Sequence, residues 1–180
     1  MTRTGLARLA VAAGVSVSLS GLMVSAQGGG KFSTVLEPDQ EVPAVSTVAQ
    51  GTFTLDIVDD DEITYELSYS GLQGIVAQAH IHIAQAGVNG GIVLWLCEGT
   101  SASPVESTPT CPQSGTVSGT LTPDDVVAIT GANAGQQISA GEFAEVVGLI
   151  RKGLAYANVH SSLSPGGEIR GQIRQGSGHQ

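Results

Sequence analysis

The chain is poor in basic residues, with 7 Lys and Arg against 16 Asp and Glu over 180 positions. Two of the seven, Arg3 and Arg8, fall within the first 26 residues. Without them, five basic residues face sixteen acidic ones, a net charge of −11. So acidic a chain disfavours nucleic acid and anionic lipid as partners, because both require a basic face. Long apolar runs are also scarce. The run from Leu9 to Val24 follows the two arginines, is short for a membrane span, and ends at Val24-Ser25-Ala26. This charged start, apolar stretch and small-x-small ending predict an export signal over residues 1–26. The mature chain is then expected to start near Gln27, without a transmembrane segment, in the periplasm or outside the cell. No cysteine lies near the cleavage point, which argues against a lipid anchor.

Catalytic signatures are missing too. The serines of "SSLSPGGEIR" lack the Gly-x-Ser-x-Gly context of a nucleophile. The acidic run Asp59 to Glu62 lacks the spacing and glycine of an EF-hand loop and reads as a solvated turn. The glycines of "GLQG" and "GVNGG" precede no helix, so they serve turns rather than phosphate cradles. No catalytic residue is assigned. Only two cysteines occur, Cys97 and Cys111. An even pair in an exported chain predicts a disulfide, with paired thiolate metal ligands as the rival reading. Closing that loop stabilises by about 3 kcal/mol on chain-entropy grounds.

What is present is mostly β pattern. "GTFTLDIVDDDEITYELSYSGL" alternates Phe53, Leu55 and Ile57, turns through Asp59 to Asp61, and returns through Ile63, Tyr65, Leu67 and Tyr69. This is the period of a half-buried hairpin. "QAHIHIA", "GIVLWLC", "GTVSGTLT", "LAYANVHSS" and "EIRGQI" read as further strands. "TPDDVVAI" has a cap residue in Thr122 and a proline at the first helical position, predicting a short helix. "GEFAEVVGLIRKG" spaces Phe143, Val146, Val147 and Ile150 for a second, with Gly153 to close it. The expected fold is a mainly β, antiparallel Greek-key sandwich or barrel with one or two short helical insertions. Residues 27–31 form a lead-in, 32–174 the domain and 175–180 a polar tail.

Histidine is rare, with four in the chain, yet His80 and His82 lie two apart in one strand. Positions i and i+2 share a strand face, so both imidazoles point the same way with Cβ atoms about 7 Å apart. In "YANVH", Tyr156, Asn158 and His160 likewise share a face. If the two strands are neighbours, His160 completes a three-histidine set suited to copper or zinc. The alternative is that these histidines only satisfy hydrogen bonds at a sheet surface. Glu168 and Arg170 share another strand face and could pair with each other or flank the site, as could Tyr156 and Asn158. His179 falls in the tail and carries no role.

Four stretches, "FSTVLEPDQEVPAV", "AHIHIAQAGVNGGIVLWLC", "GTVSGTLT" and "YANVHSSLSPGGEIRGQI", together resemble the CHRD domain. This module is repeated in chordin and found singly in secreted bacterial proteins. The resemblance implies an extracellular module without an assigned catalytic role. A looser similarity is to the Cu/Zn superoxide dismutase sandwich. It implies His80, His82 and His160 as copper ligands and places Arg170 near them, but the chain has no bridging histidine and no zinc cluster. Three readings follow: an exported copper-binding protein, a metal-free module recognising a protein or glycan partner, and a dismutase-type oxidoreductase. Oligomeric state stays open.

Overall fold

The computed structural model describes Met1, residues 29–59 and residues 61–176. The expected export signal, His179 and most of the polar tail lie outside the described residues. Nine strands form two antiparallel sheets: β1 (Gly30–Leu36), β2 (Gln50–Ile57), β3 (Ile63–Ser70), β4 (Val76–Ile83), β5 (Gly91–Glu98), β6 (Gly115–Leu121), β7 (Ala155–Ser161), β8 (Ile169–Gln172) and β9 (Arg174–Gln175). Their order is β6-β3-β2-β1-β9 in the first sheet and β5-β4-β7-β8 in the second.

The chain leaves the first sheet after β3, makes β4 and β5, and returns as β6 beside β3. It then crosses again so that β7 lies beside β4. Such interleaving is Greek-key connectivity. Two open sheets result, so the sandwich expectation holds and the barrel alternative does not. The β2–β3 hairpin pairs Gln50 with Ser70 through to Ile57 with Ile63. Phe53, Leu55, Ile57, Ile63, Tyr65 and Leu67 face the core from it, as their alternation demands. Strand β1 starts two residues before Phe32, with Gly30 and Lys31 paired to Ile57 and Asp56.

Helix α1 (Phe143–Arg151) buries Phe143, Val146, Val147 and Ile150 and ends with Gly153 at φ +70°. A glycine fits there because a Cβ disfavours that backbone conformation. The helix expected from "TPDDVVAI" is only a 3-10 turn over Pro123–Asp125. The start is as expected: Thr122 donates from both its N–H and its hydroxyl to Asp125 Oδ2. Helix then loses to packing. Val126 and Ile129 are both buried, and Val127 N–H donates to the Val93 carbonyl, which holds the segment extended against β5.

The Cys97–Cys111 disulfide staples the loop after β5 and leaves no free thiol. The thiolate-ligand alternative is thereby excluded. No helix among the described residues is long and apolar enough to cross a membrane.

Candidate metal centre

Strands β4 and β7 position the site. Ala79, Ile81 and Ile83 of β4 enter the sandwich core together with Ala155, Ala157 and Val159 of β7. The alternate residues, His80 and His82 on β4 and Tyr156, Asn158 and His160 on β7, lie on the outer face of that sheet. An outer face is normally wet, yet this one is buried: His80 is 0% exposed, His160 5% and His82 6%. Loops cover it. Glu41 reaches in from the segment after β1, Asn89 and Gly90 from the β4–β5 turn, and Pro165 from the β7–β8 turn.

The register pairs His80 with Asn158, His82 with Tyr156 and Gln78 with His160. His160 is therefore the diagonal neighbour of His80, within reach of a long side chain. The pairing of β4 with β5 slips at Ala79/His80 and again at Ile81/His82. Such irregularities re-aim side chains, and both occur at a histidine. Ligand-capable atoms of His80, His82 and His160 all lie within 4.8 Å of one another. His80 Nδ1 and His160 Nε2 are 3.2 Å apart.

Backbone carbonyls set the tautomers. His82 Nδ1 lies 3.0 Å from the Gly90 oxygen, and His160 Nδ1 lies 3.0 Å from the Pro165 oxygen. A carbonyl only accepts, so each Nδ1 carries the hydrogen and each Nε2 keeps its lone pair. The His80 and His82 Nε2 atoms are buried and have no hydrogen-bond partner. Burial is the main reason all three rings resist protonation. It lowers His82 to about 3, with help from His160 and Arg170, and His160 to about 4. His80 is held well below its ordinary value by burial, then by the other two rings. The result is a neutral, lone-pair-bearing trio at physiological pH, the form in which imidazole binds metals.

A stack supports the trio. Tyr156 lies parallel to the His82 ring at 4.7 Å and 5°. The Arg170 guanidinium sits 3.4 Å from the Tyr156 centroid. Gly90 clamps both rings, donating its N–H to the Tyr156 hydroxyl while its carbonyl takes His82. Arg170 is fully buried and spends its donors on Asn89 Oδ1 and the Val88 and Gln85 carbonyls. Trp95, the chain's only tryptophan, meets His80 edge-on with centroids 4.3 Å apart. Beside His82 and Trp95 opens a hollow of about 410 Å³, bounded also by Gly91, Pro104 and Ile129. A slightly larger hollow, about 490 Å³, lies on the outer face of the other sheet and holds none of the histidines.

The remaining expected residues separate into two groups. Tyr156, Asn158 and Arg170 flank the trio. Glu168 does not; it accepts from Thr47, Gln73 N–H and Ser161, and ties the β7–β8 turn to neighbouring loops. Nor do Glu168 and Arg170 pair, since the donors of Arg170 go to Asn89, Val88 and Gln85. Glu41 is a residue the sequence does not single out. Its carboxylate accepts from Asn158 Nδ2 at 2.6 Å, and burial raises it to about 7 despite the nearby Arg170 charge. Gly90 and Pro165 leave no signal in residue type because they act through backbone carbonyls, which every residue has.

No curated protein and no solved structure matches the chain. The family model of the CHRD domain matches residues 32–173, nearly every described residue and both histidine-bearing strands, and the chain belongs to the CHRD domain family.

Proposed function

We propose that this CHRD domain is an exported module that holds one copper ion through His80, His82 and His160. The observation that carries the reading is the pair of carbonyl contacts from Gly90 and Pro165. They fix His82 and His160 with their Nε2 lone pairs inside the cluster. Metal-binding histidines characteristically donate their other ring nitrogen in this way. His80 supplies the third donor, its Nδ1 already facing His160 Nε2. Imidazole donors suit copper, and copper would supply one-electron chemistry or a transferable cargo. Export is supported by the family's extracellular character, the predicted signal and a disulfide, which persists in oxidising compartments.

A metal-free binding module is the second reading. It is favoured by the His80–His160 contact, which satisfies those two nitrogens without an ion. Arg170 argues for binding over dismutase-type turnover, because it is buried and hydrogen-bonded to Asn89, Gln85 and Val88 instead of lining an open mouth. Titration of the metal-stripped chain from residue 27 with copper and zinc separates the readings. One-to-one binding, lost in His82→Ala, supports the site. If neither metal binds, the metal-free module stands.

A further inference from the structure

We propose that the site selects the monovalent ion, Cu(I), over Cu(II) and Zn(II). The inference rests on the copper-binding reading and names the species bound. Imidazole alone does not discriminate, because it serves zinc and both copper states. Discrimination must come from charge, burial and coordination number.

Every donor in the cluster is neutral. The group holds three histidines and no carboxylate or thiolate. Both cysteines are consumed by the disulfide, and the Glu41 carboxylate is engaged with Asn158. The trio is also dry, with His80 fully enclosed and its two partners nearly so. Removing an ion from water costs more as its charge rises, and in a neutral cage nothing offsets the second charge.

A fixed positive charge adds to this. The Arg170 guanidinium and the His82 ring lie against opposite faces of Tyr156, at 3.4 Å and 4.7 Å. The hydrogen-bond partners of Arg170 are an amide and two carbonyls, and the nearby Glu41 carboxylate, itself bound to Asn158, offsets its charge only in part. The repulsion of a bound cation by Arg170 doubles when that cation carries two charges. Coordination number points the same way. Zinc takes four ligands, so beside these three histidines it would need a water, and the trio is dry.

The test compares ions on the unaltered chain from residue 27, using Trp95 as the reporter because its ring lies against His80. Cu(I) is titrated anaerobically against a chromogenic chelator, with Zn(II) and Cu(II) in parallel. We expect one Cu(I) per chain, held at least about tenfold tighter than either divalent ion, with Trp95 emission quenched. In Arg170→Gln the preference for Cu(I) narrows. Equal or tighter binding of Zn(II) or Cu(II) by the parent overturns the selectivity while leaving the metal site standing. Binding of no ion at all overturns both the selectivity and the metal site. The parent comparison needs no variant, so it decides the matter even if Arg170→Gln folds poorly.

Discussion

His80 Nδ1 and His160 Nε2, eighty residues apart in the chain, face each other at 3.2 Å beneath a cover of three loops. The Pro165 carbonyl already takes the His160 Nδ1 hydrogen, so in the ion-free protein His80 Nδ1 donates and His160 Nε2 accepts. An ion at this place would be held by both nitrogens, with the His80 hydrogen moved to its unpartnered Nε2 so that the ring stays neutral. His160→Ala therefore weakens metal binding by removing one of three donors and leaves His80 buried without its partner. The orphaned group costs about 1–3 kcal/mol of stability. Urea unfolding and metal titration of the same variant check the two effects together.

Tyr156 holds His82 by stacking and Gly90 by a hydrogen bond. Tyr156→Phe keeps the ring and loses the acceptor, so it costs about 1 kcal/mol and leaves metal binding largely intact. Tyr156→Ala removes the layer between Arg170 and His82, costs about 3–5 kcal/mol and weakens binding. Thermal unfolding ranks the pair, and a reversed ranking contradicts the stack as the support.

Gly167 sits at φ +126°, and a Cβ there would press on Asn158 Nδ2 and the Glu41 carboxylate. Gly167→Ala combines a disfavoured backbone with a clash in the Glu41–Asn158 contact. A loss of about 2–3 kcal/mol is expected. A stability within error of the parent contradicts the close approach.

The pH dependence of the metal-free protein has two opposing parts. The buried histidines are lowered in the folded chain, so their contribution is present above their ordinary value of 6.5. It is lost as pH falls through about 4 and 3, the values of His160 and His82. Glu41 is raised from 4.5 to about 7, so its contribution is full below 4.5 and lost as pH rises through 7. Three histidines outweigh one carboxyl. Stability should therefore fall from pH 7 to pH 4, read from urea midpoints. Glu41→Gln makes that fall steeper, because it removes the one opposing titration.

Some of this is legible in the sequence. The β2–β3 hairpin follows from alternation between Phe53 and Tyr69, whose alternate residues face the core while Val58, at the turn, is exposed. That His80 and His82 share a face follows from the strand period alone. That His160 joins them does not, because β4 and β7 are separated by two further strands and a helix. Their adjacency is a property of the Greek-key topology, and only the resemblance to a known sandwich anticipates it. The register slips at His80 and His82 leave no mark in residue type. "TPDDVVAI" departs from helix after its first turn, since Val126 and Ile129 answer to the core rather than to helix propensity. Glu41 belongs to a family-like stretch, "FSTVLEPDQEVPAV", but nothing local says that its carboxylate turns inward.

The central claim is that His80, His82 and His160 together hold copper. X-ray absorption at the copper edge, on protein loaded one-to-one, tests it most directly. Three imidazole nitrogens are expected at about 2.0 Å, the usual distance for such ligands, falling to two or fewer in His160→Ala. A shell dominated by water oxygens, or one unchanged by that substitution, would contradict it.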